Sequence, residues 1–219
     1  HALNRLVPIQ HAYCIVTEKE LTQPREQDTI RQLQHALEPV IAFHVFPATD
    51  AHVTTPTIPV SRRTQYTLHT QARDSGLDIC TKGAVGCADS HVRVLQHITN
   101  HIPYDTHPDA WSLVLESDAQ IHARALDALV HGFGNMVQPS DNVCMIVLGR
   151  PPFTFAHHAT RSNHIEGRST VVRAENPWYG THAYLVRNRD AKVVADAIQP
   201  LEVQIDGGFG IATILGFIP

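Results

Sequence analysis

Apolar positions along the chain fall into two patterns. Short unbroken runs occur at "AYCIVTE" (12–18), "VIAFHVFPA" (40–48), "WSLVLESD" (111–118) and "NVCMIVLG" (142–149), with the length and β-branched content of strands, the last two read as buried. Helical spacing appears in "PREQDTIRQLQHALEP" (24–39), where Ile30, Leu33 and Leu37 recur between Pro24 and Pro39. "KGAVGCADSHVRVLQHITNH" (82–101) starts with glycines and becomes a helix carrying Val92, Leu95 and Ile98. "IHARALDALVHGFGNM" gives a helix that Gly132 and Gly134 end, and "THAYLVRNRDAKVVADAI" (181–198) reads as a strand running into a helix. "PLEVQIDGG" predicts an alternating strand and "FGIATILGFIP" a buried strand entered from a Gly-rich loop. Residues 49–66, rich in Thr and Pro and holding Arg62-Arg63, read as a loop; residues 150–177 read as an excursion near a site. The alternation predicts an α/β fold with a mixed, mostly parallel sheet flanked by helices. No repeat or internal boundary is visible, so one domain over 1–219 is expected.

Composition narrows the function classes. The 219 residues carry 17 Lys and Arg against 21 Asp and Glu, a net charge of −4. That balance argues against long nucleic acid as a partner, which needs clustered positive charge. No apolar run reaches the roughly 20 residues of a membrane span. Cys14, Cys80, Cys87 and Cys144 form no CxxC pair, which argues against a zinc ribbon or a disulfide framework. No signal peptide is visible; a cytoplasmic location is the expectation, and because the chain begins with His1 in place of Met, so is a longer parent protein. The 16 histidines include His157, His158 and His164 in one polar stretch, and His97 and His101 four apart. A His-x-x-x-His pair can ligate zinc from one helical face, but the glutamate of HExxH is absent.

The strand "WSLVLESD" ends in Glu116 and Asp118. Either it leaves the core through a polar turn, or it delivers two carboxylates to a divalent cation. Side chains two apart on an extended segment share a face, and open α/β sheets bind ligands beyond the carboxyl ends of their strands. Hard oxygen ligands suit Mn²⁺ or Mg²⁺ held partly by a substrate diphosphate. Ser90 and His91 are expected to open the helix after Gly86, either near an anion or as a cap and a packed imidazole. Asp50 is read as a ribose ligand or a turn cap, and Tyr184 as core.

Three further segments accompany "LVLESDA": "FPATD" (46–50), "GAVGCADSHVRVLQ" (83–96) and "YGTHAYLVRNRDAKVV" (179–194). Together they resemble glycosyltransferase family 25, which includes lipopolysaccharide-type and collagen galactosyltransferases. The resemblance spans about residues 12–206, and Gly86, Cys87, Ser90 and His91 in register are its most specific part. It implies a GT-A fold and inverting transfer of a hexose, galactose or glucose, from a UDP-sugar to an acceptor hydroxyl, with Mn²⁺ or Mg²⁺ at Glu116 and Asp118. It further implies nucleotide-sugar contacts at Ala48, Asp50, Gly86, Ser90, His91 and Glu116, and an acceptor side at Tyr179, Gly180 and Thr181. Asp206 matches a late Pro-x-x-x-x-Asp segment of the family and is the candidate base, or else a turn aspartate before Gly207-Gly208. Three departures stand out: Ser117 replaces the middle acid of Glu-Asp-Asp, Asp89 replaces an apolar residue, and the basic stretch after the first strand shrinks to "EKELTQPRE" with Arg25. Restoring an acid at Ser117 is expected to be mild and to tighten Mn²⁺, although that side chain faces the opposite way. Two rival readings remain: a transferase fold that only binds nucleotide sugar or glycan, and a metal-dependent hydrolase built on His157, His158 and His164.

Overall fold

Leu113, Val114 and Leu115 are consecutive, and all three are inaccessible to solvent. A strand buries every side chain only when both faces of its sheet are covered, and the computed structural model, which describes residues 9–102, 109–120, 129, 143–148 and 181–218, has that arrangement. Five strands, β1 (Ile9–Val16), β2 (Ala42–Pro47), β3 (Trp111–Glu116), β4 (Met145–Val147) and β5 (Ala183–Arg187), form one sheet in the order β2-β1-β3-β5-β4. The β1–β2 and β1–β3 pairs are parallel, whereas β5 is antiparallel to both β3 and β4. The sheet is therefore mixed, with β5 alone reversed, and its ladders divide evenly between the two kinds where a mostly parallel sheet was expected. Strand direction depends on the connections, which hydrophobic pattern does not encode.

Helix α2 (Pro24–Leu37) follows the short helix α1 (Glu18–Leu21). Pro24 occupies its first turn, where a missing N–H costs nothing, and Ile30, Leu33 and Leu37 form its buried face. They join Ala12, Cys14, Leu113, Leu115 and Leu185 in one core cluster. The other core contains Tyr13, Ile15, Val114, Tyr184 and Val186, together with residues of α4 (Lys82–His101), α5 (Ala191–Ala197) and α6 (Ile205–Ile214). Each fully buried large aliphatic side chain here contributes roughly 1.5–3 kcal/mol.

Several boundaries differ from expectation. The first strand starts at Ile9 and ends at Val16, because Thr17 caps α1 by accepting the Glu20 amide at 3.2 Å. β2 and β4 are the two edge strands: the side chains of β2 are mostly exposed, and Met145, Ile146 and Val147 of β4 are half-buried where a buried strand was expected. The expected loop 49–66 gives way to α3 (Arg62–Thr70), whose buried face is Thr64 and Thr67. Both "PLEVQIDGG" and the tail were expected to be strands; instead Ile205–Ile214 is helical. The expected helix in residues 121–136 lies outside the described residues except at Leu129.

Helix α4 begins at Lys82, with Thr81 capping the Ala84 amide at 3.2 Å, so Ser90 and His91 sit mid-helix and buried. The segment after β2 is fastened against it. A Cβ on Gly86 would meet the Thr49 carbonyl oxygen at 2.5 Å, so only glycine permits this approach. Ser90 Oγ accepts the Thr49 amide at 2.8 Å and donates to the Gly86 carbonyl at 2.7 Å. Buried Asp89 accepts the amides of Thr57 (2.6 Å) and Ile58 (2.8 Å) and the Thr57 hydroxyl (2.8 Å). The acid that departs from the resemblance thus pins residues 57 and 58. Among the described residues no helix is long and apolar enough to cross a membrane.

Candidate functional site at the end of strand β3

Glu116 is the last residue of β3 and stands at the carboxyl end of the parallel strands. Three side chains engage its carboxylate. Oε1 accepts the Thr181 hydroxyl at 2.5 Å and lies 3.2 Å from His91 Nε2, and Oε2 lies 3.4 Å from His182 Nδ1. Behind His91, its Nδ1 is 3.1 Å from the hydroxyl of Tyr184, which is fully buried. A carboxylate only accepts, so Nε2 must carry a proton; Nδ1 accepts the Tyr184 hydroxyl when the ring is neutral and donates to the Tyr184 oxygen when it is charged. Burial acts to raise the Glu116 pKa. Hydrogen bonding and charge from His91, then Thr181 and His182, outweigh it and hold the carboxyl down at about 2. Burial, and then the Glu116 charge, pushes the Tyr184 phenol well above its ordinary range.

Asp118 lies past the strand in a turn and is 70% exposed. His182 links it to Glu116, because His182 Nδ1 is also 3.4 Å from Asp118 Oδ1. The antiparallel register produces this meeting: Leu115 pairs with Ala183, and the Glu116 amide donates to the His182 carbonyl at 2.9 Å. One ligand atom from each of Glu116, Asp118 and His182 falls within 4.8 Å of the others. Two carboxylate oxygens and one imidazole nitrogen fit a divalent cation, and the imidazole suits Mn²⁺ better than Mg²⁺. Ser117 turns the other way, as alternation expects, and its hydroxyl donates to Glu20 Oε1 on α1. A carboxylate added there would meet Glu20, not a cation.

A cavity of about 290 Å³ opens beside Glu116, lined among others by Cys87, Thr181, His182, Gln204 and Asp206. Asp206 sits in the first turn of α6 and accepts the Gly207 amide at 2.7 Å. Cys87 is pushed up to about 12, first by burial and then by Glu116, Asp206 and Asp118, so its thiol is neutral at physiological pH.

The expected site residues therefore divide. Glu116, Thr181 and Asp206 line the cavity, Asp118 is joined to it through His182, and His91 stands behind Glu116. Ala48, Asp50, Gly86 and Ser90 belong to a neighbouring junction and do not line this cavity. Ala48 donates its amide to the Val16 carbonyl at 2.9 Å, and exposed Asp50 accepts the His52 amide at 2.9 Å, the turn role of its two expected ones. The helix-start role read for Ser90 and His91 is corrected, because their backbone groups are already paired within α4. Tyr179, Gly180 and the His157, His158 and His164 cluster lie outside the described residues. His182 and Cys87 were not anticipated as site groups. His182 becomes recognisable only once residue 183 is registered against residue 115. No protein-family model and no curated protein matches the chain.

Proposed function

We propose that this chain is a GT-A-type glycosyltransferase related to family 25, moving a hexose from a UDP-sugar to an acceptor hydroxyl with inversion. The observation that carries the reading is the meeting of Glu116, Asp118 and His182 at the end of an inner strand, beside a cavity that also holds Asp206. Glu116 and Asp118, with His182, would hold Mn²⁺. When bound, such an ion supplies Lewis-acid stabilisation to a departing diphosphate. The chain's own residues supply the rest. His91 and Thr181 both engage Oε1 of Glu116, which fixes the carboxylate and keeps it ionised. Asp206 takes the acceptor proton as the acceptor oxygen bonds the anomeric carbon and the bond from that carbon to the diphosphate breaks. The cavity has room for the sugar end of the donor.

The test is hydrolysis of UDP-glucose and UDP-galactose with and without Mn²⁺, which needs no known acceptor. Metal-stimulated hydrolysis is expected, falling about 100- to 1,000-fold in Asp118→Asn, as for loss of one transition-state stabiliser. Asp206→Asn is expected to lose turnover while still binding the donor. Donor binding without hydrolysis would make the chain a binding protein. Equal rates in Asp118→Asn and the parent would reduce the acids to a polar strand end.

A further inference from the structure

Inward of the hard-ligand set lies a softer one that shares Glu116. Ligand atoms of Cys87, His91 and Glu116 also fall within 4.8 Å of one another. Helix α4 places Cys87 and His91 four residues apart and so on one face, and β3 delivers Glu116 from below. The set offers one sulfur, one nitrogen and one oxygen, a donor combination that suits Zn²⁺ or Cd²⁺ and poorly suits Mg²⁺. Cys87 and Glu116 both line the cavity, which gives an ion its route in and leaves a fourth position open. The far nitrogen of His91 faces the Tyr184 hydroxyl at 3.1 Å, the kind of outer contact that orients a ligating imidazole.

We propose that Cys87, His91 and Glu116 bind a soft or borderline divalent ion of the Zn²⁺ or Cd²⁺ class, and that this ion and Mn²⁺ exclude each other because both need Glu116. Binding converts the Cys87 thiol to a coordinated thiolate and releases its proton to solvent. His91 presents Nε2 to the ion, its proton relocating to Nδ1, where it is donated to the Tyr184 oxygen. The site itself is independent of the transfer reaction; only the competition with Mn²⁺ rests on that reading.

Cd²⁺ is the probe, because sulfur-to-cadmium charge transfer gives an ultraviolet absorption that Mn²⁺ does not. Titration of the full chain is expected to saturate with one tight Cd²⁺. Cys87→Ser and Cys87→Ala should each abolish the band while leaving circular dichroism unchanged. Glu116→Gln and His91→Gln should each weaken Cd²⁺ by about tenfold or more, and Asp118→Asn should leave it unaltered. A band that survives loss of Cys87 would assign the signal to another cysteine and overturn the proposal. Unchanged affinity in both Glu116→Gln and His91→Gln would reduce the site to a lone thiol, and weakening by Asp118→Asn would move the ion to the outer set. A saturating band in a chain that hydrolyses no donor would keep this site and remove the transferase reading.

Discussion

Helix α4 serves two polar regions with opposite electrostatics. Its N-terminal half turns Cys87 and His91 toward the cavity at Glu116. Its C-terminal half turns Arg93, His97 and His101 toward a groove of about 590 Å³, faced by His44, Phe46 and Tyr13. In the cavity, imidazoles meet a carboxylate, and Glu116 is held at about 2. In the groove, imidazoles meet one another: His11 Nδ1 lies 3.1 Å from His44 Nε2, and the His97 and His101 rings stack at 4.2 Å. Burial first, and then the neighbouring imidazoles, lower the pKa of both His11 and His97. A histidine's contribution is therefore set by the group opposite it, which the residue count alone does not encode.

The largest expected contrast is in stability. Glu116→Ala leaves the buried His91 Nε2–H without its acceptor and removes an ionised group whose pKa falls from 4.5 to about 2, a loss of about 3 kcal/mol at neutral pH. His44→Ala, at an exposed position, is expected to cost about 0.5 kcal/mol or less. Urea unfolding of both variants measures this, and equal losses would erase the distinction between the regions.

Acid should separate the regions a second way. The folded pKa of Glu116 lies below its unfolded value, so its stabilisation is complete above about 4.5 and disappears as pH falls toward about 2. His11 and His97 are bases with lowered pKa values. Below 6.5 the unfolded chain binds protons that the folded chain resists, so their loss of stability begins at 6.5 and grows as pH falls. Unfolding free energy against pH is expected to decline in two stages, the groove first. Glu116→Gln should shrink the lower stage, to which Asp78 also contributes because the Ser75 and Asp74 amides and Arg63 lower its pKa, and leave the upper one.

A smaller effect probes the opposite side of the strand end. Ser117→Asp sets a second carboxylate against Glu20, which already accepts the Thr17 amide and hydroxyl at 2.7 Å each. A loss of about 1–2 kcal/mol is expected, with Mn²⁺ affinity unchanged, in place of the tighter binding that the resemblance alone suggests. Calorimetric titration with Mn²⁺ beside thermal unfolding decides between the two.

What the sequence made legible follows from how each element buries its face. The 3- and 4-residue spacing of Ile30, Leu33 and Leu37 gave α2 directly, and the unbroken run through Leu115 gave β3 with its acids at the right end. Helix α3 escaped because its buried face is built from hydroxyls: Thr64 donates to the Leu201 carbonyl and Thr67 to the Ile79 carbonyl. Helix α6 escaped because Phe209, Gly210 and Ala212 are buried in a segment apolar on nearly all sides, where periodicity carries no signal. The glycines before Ser90 suggested a helix opening after Gly86, yet the helix already runs from Lys82 and Gly86 is glycine for the approach of Thr49. Of the site, the carboxylates were legible from their position after a strand. His182 was not, since its place depends on the reversed direction and register of β5.

The finest test stays inside the groove. His97 touches Tyr13 and Phe46 edge-on, with ring centroids 5.4 and 5.6 Å away, and its charge is among those that lower the pKa of His11. His97→Phe keeps a ring in that place and removes the titrating group. At neutral pH His11 and His97, both lowered from 6.5, are largely uncharged, so stability should change by only about 0.5 kcal/mol or less. Below 6.5 two changes follow. The His97 site no longer resists a proton, and His11 loses one repelling neighbour, so its pKa moves up toward the ordinary value. Both flatten the first acid stage, so the variant gains on the parent as pH falls, while the second stage at Glu116 stays where it was. Proton NMR titration of the His11 ring follows the pKa, and urea unfolding at neutral and mildly acidic pH follows the stability. A His11 titration unmoved by the substitution would show that burial alone depresses it, and the contrast between the two ends of α4 would then rest on solvent access and not on partner charge.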